Sequence, residues 1–75
     1  MRYRYTMRLG PPDVGSRVVI RWQRSDAEVA DVLGILESAG PDAFVVRKSS
    51  GEVVTIPRDQ ALAGKPIPPA PPRRR

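Results

Sequence analysis

The sequence predicts a small, predominantly β domain, and three observations carry that reading. Asp42 to Pro57, DAFVVRKSSGEVVTIP, holds two β-branched or aromatic runs separated by a turn. Ser16 to Arg24, SRVVIRWQR, alternates in the period of a strand. The chain has 75 residues and no cysteine, so a single domain must stand on packing without disulfide staples.

Met1 to Leu9 opens the chain with Tyr3, Tyr5, Met7 and Leu9 on one side and Arg2, Arg4, Thr6 and Arg8 on the other. That period suits an arm or an extra edge strand whose outward arginines discourage further pairing. Gly10-Pro11-Pro12-Asp13-Val14-Gly15 is a turn-rich connector. In the Ser16–Arg24 strand, Val18, Ile20 and Trp22 are expected to face the core. Arg17, Val19, Arg21 and Gln23 then share the outer face.

Ser25 to Gly40, SDAEVADVLGILESAG, supports two readings. As a helix it offers a capping box in Ser25 and Glu28, helical spacing of Val29, Val32, Leu33 and Leu36, and a Gly40-Pro41 stop. Gly34 at its centre costs about 1 kcal/mol relative to alanine. As a loop over 25–30 and a strand over 31–38, the segment points Val32, Gly34 and Leu36 inward, and Gly34 permits a sharp bend. Residues alone leave the two evenly matched.

The Asp42–Pro57 hairpin pairs Phe44-Val45-Val46-Arg47 with Val53-Val54-Thr55-Ile56. Lys48-Ser49-Ser50 suit a type I turn, and Gly51 supplies the left-handed residue that closes it. Pro57 ends the second strand because it has no N–H for the ladder. Arg58 to Leu62 reads as one tight helical turn, and Ala63 to Ile67 as a short edge segment. Pro68-Pro69-Ala70-Pro71-Pro72-Arg73-Arg74-Arg75 cannot build a core and reads as a polyproline II linker or tail.

The net charge of +5 is unevenly placed. Six of the thirteen basic residues are Arg2, Arg4, Arg8, Arg73, Arg74 and Arg75. The other seven face all eight acidic residues, so residues 9–72 carry a net −1. No apolar run reaches membrane-spanning length and the arginine-studded start lacks a signal-peptide core, so a cytoplasmic location without membrane association is expected. There is no histidine to act as a general base, and neither histidine nor cysteine to ligate a metal.

Three stretches, taken in order, resemble the SH3-like barrel at the N-terminus of certain bacterial GNAT-family acetyltransferases. They are Gly15-Ser16-Arg17-Val18-Val19-Ile20-Arg21, Asp31-Val32-Leu33-Gly34-Ile35-Leu36 and Gly51-Glu52-Val53-Val54-Thr55-Ile56-Pro57-Arg58. Lys65-Pro66-Ile67-Pro68-Pro69 is similar to that family's exit into a proline/arginine linker. The likeness spans Gly15 to Pro69 and rests on the order of ordinary β segments. It implies that 31–38 is a strand, and hence an all-β, five-stranded SH3-like barrel with a short 3-10 turn before the last strand and flexible termini. The implied organisation is an arm or extra edge strand over 1–14, a barrel over 15–68 and a Pro/Arg-rich linker or tail over 69–75.

The acetyltransferase catalytic domain of that family would follow the linker. No Gly-rich loop opening a helix is present to hold acetyl-CoA, so no cofactor is expected and the chain is not expected to be an enzyme. Asp31, Glu37 and Glu52 read as solvated charges bounding apolar segments rather than as a catalytic set. The expected role is a non-catalytic interaction domain that docks on, or positions, an acetyltransferase domain in cis or in trans. Its expected contact face is Val19, Leu33, Ile35 and Val45.

The alternative is a small basic nucleic-acid-binding barrel. Arg2, Tyr3, Arg4, Tyr5 and Arg8 interleave cations with rings, and Arg17, Arg21, Arg47 and Lys48 would extend a basic face. A proline-peptide groove is thinly supplied, because Trp22 and Phe44 are wanted by the core. The tail's own P-x-x-P-x-R from Pro68 to Arg73 reads as spacer.

Overall fold

The computed structural model describes residues 7–68. Arg2, Tyr3, Arg4 and Tyr5 of the basic arm and the tail over 69–75 lie outside the described residues. Five antiparallel strands make up the domain: β1 (Arg17–Ser25), β2 (Glu28–Ala39), β3 (Ala43–Arg47), β4 (Val53–Pro57) and β5 (Ala61–Pro66). They hydrogen-bond in the order β4-β3-β2-β1-β5, with a 3-10 turn at Arg58–Gln60 leading from one edge strand to the other. A second 3-10 turn, Pro11–Asp13, sits within the expected connector. There is no α-helix among the described residues.

The ambiguous segment is therefore extended. β2 runs from Glu28, and the expected loop over 25–30 shrinks to a tight turn at Asp26-Ala27. Ser25 and Glu28 pair directly across that turn. The three-residue spacing that makes a capping box in a helix also closes a two-residue hairpin. Such hairpins favour turns with positive φ, yet no non-glycine residue here has one. The register instead shifts between Gln23 and Ser25, and the bulge adds the local twist the turn does not provide.

Gly34 explains why β2 can change partners. Residues Glu28 to Ile35 pair with β1, while Ile35 to Ala39 pair with β3. At the changeover a β-carbon on Gly34 would collide with the Arg47 carbonyl and press on Val46. Close approach of a neighbouring backbone, rather than an unusual φ, is what demands glycine here.

The β3–β4 hairpin closes as its residues dictate. Gly51 N–H donates to the Lys48 carbonyl at 2.8 Å, Lys48 N–H donates to the Glu52 carbonyl at 2.8 Å, and Gly51 takes φ 94°. Leu62 belongs to β5 rather than to the preceding turn. It is the extra residue where the β1–β5 register shifts between Arg21 and Trp22.

Val18, Ile20, Val32, Leu36, Phe44, Val46 and Ile56 fill the core together with Leu9, and no polar or charged side chain is buried among them. Trp22 is only half-buried and packs at the margin of this cluster. Leu9 arrives from the N-terminal segment. Met7 bridges Gly64 in parallel, and Arg8 N–H donates to the Gly64 carbonyl at 2.8 Å. Gly64 leaves the notch that receives them, since a β-carbon there would stand 2.9 Å from both Leu9 Cδ1 and Met7 Sδ.

Candidate docking face

The strands that bury one set of side chains must present the alternate set outward. On β1 these are Arg17, Val19 and Arg21, and on β2 Asp31, Leu33, Ile35 and Glu37. Register fixes their neighbours. Lys65, Val19 and Leu33 stand in one row across β5, β1 and β2, and Arg17, Ile35, Arg47 and Val53 form the next row across β1 to β4.

Leu33 and Ile35 are 44% and 40% exposed at the centre of the sheet, where β-branched and leucine side chains would be covered if the domain had a layer above them. Val19 is half-buried beside Leu33. Of the four residues expected to form a contact face, the structure brings these three together. Val45 stands apart, half-buried between Ser38 and Thr55. Val53, 46% exposed opposite Arg47, joins the face and was not anticipated. Its alternation with inward Val54 is the signal that would have found it.

Two arginines of this face are clamped by carboxylates. Arg21 lies directly opposite Asp31 and donates from Nε at 3.0 Å and from Nη2 at 3.2 Å. Those hydrogen bonds hold the Asp31 carboxyl below its ordinary range, against a smaller opposing effect of desolvation. Arg47 donates to the two carboxylate oxygens of Glu37 at 3.0 and 3.3 Å. This lowers the Glu37 carboxyl and raises the Arg47 guanidinium. Asp31 and Glu37 thus act as arginine clamps, a pairing visible only once register is known.

Lys48 pairs with Glu52 at 3.2 Å. Three of the four cations expected to extend a basic face therefore already face a carboxylate, which leaves Arg17. Among the described residues, Arg8, Arg17, Arg58 and Lys65 have no carboxylate partner, and Arg58 instead donates to the Gly40 carbonyl at 2.6 Å and lies over the Phe44 ring. Arg8 is exposed at the β5 edge, one residue on from the parallel Met7–Gly64 bridge and so level with Lys65. Among the described residues no group of three or more histidine, cysteine or acidic side chains is placed to hold a metal. No helix among them is long and apolar enough to cross a membrane.

A family model, the Rv0428c N-terminal Sm-like domain, matches residues 12–65, more than half of the chain. The Sm-like fold is a small β-barrel, in keeping with the five antiparallel strands. No curated protein and no solved structure matches the chain.

Proposed function

The chain belongs to the family of the Rv0428c N-terminal Sm-like domain, and from that premise we propose that it is a non-catalytic docking module. Its outer sheet face packs on, or positions, a GNAT-type acetyltransferase domain in cis or in trans. One observation carries the docking reading. Leu33 and Ile35 hold the middle of the sheet and are 44% and 40% exposed, with Val19 alongside. Adjacent aliphatic side chains on central strands are the kind of patch that marks an interaction site. The acetyltransferase as partner rests on the sequence likeness over Gly15 to Pro69 and on the run of proline and arginine after it. On this reading residues 15–68 are the docking unit and 69–75 a Pro/Arg-rich linker or tail.

The nucleic-acid reading has less support on the face itself. Carboxylates already engage Arg21, Arg47 and Lys48, and the central residues are aliphatic, without rings on which bases stack.

The test is the affinity of the domain for a purified GNAT-family acetyltransferase domain, measured by calorimetry with wild-type protein and with Leu33→Asp. Docking through this face predicts a loss of more than about tenfold, because the variant must bury a charge. Unchanged affinity would remove the face from the interface.

A further inference from the structure

The charges around the apolar residues are arranged asymmetrically. On the β2–β3 side Arg47 is neutralised by Glu37, and at the next row along β1 Arg21 is engaged by Asp31. On the β1–β5 side Arg17 and Lys65 have no carboxylate among the described residues. Lys65 is directly opposite Val19, and Arg17 is directly opposite Ile35. An aliphatic strip is thus flanked towards β5 by two cations and towards β3 by the Arg47–Glu37 pair, and is closed at one end by the Arg21–Asp31 pair.

The strands that carry the strip also limit what can cover it. β1 lies between β5 and β2, and β2 between β1 and β3, so neither offers a free ladder to an added strand. Contact must be made by side chains. Leu33 and Ile35, two residues apart on one strand, are separated by roughly 7 Å. Successive apolar positions on one helix face lie about 5–6 Å apart, close enough to seat over them.

Resting on the docking function proposed above, we infer that the face takes an acidic amphipathic helix of its partner. Apolar side chains of that helix cover Val19, Leu33 and Ile35. Carboxylates along one flank meet Arg17 and Lys65. Complementary charge of this kind sets orientation and excludes basic competitors more than it adds affinity.

The probes are a synthetic amphipathic helix with leucines on one face and glutamates flanking them, its twin with every glutamate changed to lysine, and a single-stranded oligothymidine. Each is titrated into the full chain at low salt while the methyl resonances of Val19, Leu33 and Ile35 are followed. The acidic helix should bind at least about tenfold tighter than the basic twin, shift those methyls and weaken with added salt. In Arg17→Glu/Lys65→Glu, whose fold is checked by the unchanged core methyls, the preference should reverse.

Equal binding of the two peptides would overturn the charge rule while leaving the docking face intact. Failure of both peptides, with the acetyltransferase domain still shifting the same methyls, would overturn the helix and again leave docking standing. If the acetyltransferase domain fails as well, both fall. Oligothymidine displacing the acidic helix from these residues would assign the face to nucleic acid instead.

Discussion

Gly34 lies against the carbonyl of Arg47, with no room between them for a methyl group. This approach lets β2 leave β1 and continue along β3. Because the obstacle is backbone, neighbouring side chains cannot relieve it by changing rotamer. Gly34→Ala should cost about 1–3 kcal/mol, the range for overpacking. In a domain of this size that lowers the thermal midpoint by at least about 4 °C. Gly10→Ala is the control: its β-carbon would meet only Pro12 Cδ, at 3.7 Å, and should have little effect.

Gly51 tests a different mechanism. A β-carbon there would meet nothing within 4 Å, yet φ is 94°. Gly51→Ala should therefore destabilise by about 1–2 kcal/mol through backbone strain alone. Gly51→Asn should recover part of that loss, since asparagine tolerates positive φ better. Urea unfolding of both variants separates strain from crowding.

Leu9 is 7% exposed and joins the core from outside the five strands. Leu9→Ala should cost about 2–5 kcal/mol, the range for removing a buried leucine. A chain beginning at Gly10 should lose a comparable amount and expose the Gly64 notch. Equal stability of the shortened and full chains, measured by denaturant unfolding, would mean that the N-terminal segment does not pack there.

Acid should weaken the outer face in a defined direction. Hydrogen bonds from Arg21 and Arg47 depress the carboxyls of Asp31 and Glu37 in the folded chain relative to their ordinary values. The stability this confers is complete above the ordinary carboxylate range, near pH 4. It is lost as pH falls through the depressed values. Unfolding free energy should stay level from neutral pH to about pH 5 and decline below about pH 4. Both partners of the Arg21–Asp31 pair are about half exposed, so Asp31→Asn should remove only about 0.2–1 kcal/mol at neutral pH.

The sequence disclosed the β3–β4 hairpin most fully, because Gly51 and Pro57 specify turn and strand end locally. The segment over 25–40 was not legible in the same way. Ser25 and Glu28 satisfy a capping box and a two-residue hairpin equally well. Val32 and Leu36 are buried while Val29 and Leu33 are exposed, so an apparent helical stripe is divided between two faces of a strand. What decides between them is the contact of Gly34 with Arg47, which is distant in sequence.

The candidate face was legible where alternation alone defines it, at Val19, Leu33 and Ile35. Register was needed for the rest. A shift between Leu36 and Ser38 moves Val45 beside Ser38, and the opposition of Arg21 to Asp31 turns two separate charges into one clamp.

The outer sheet face is proposed as a docking surface. Its most direct measurement is a methyl-resolved NMR titration of the full chain with a GNAT-family acetyltransferase domain in trans. Docking predicts shifts or broadening at Val19, Leu33 and Ile35, with a smaller change at Val45, while buried Val18, Ile20 and Leu36 stay in place. A spectrum in which the outer methyls do not move, or in which binding perturbs only residues away from them, would contradict the claim.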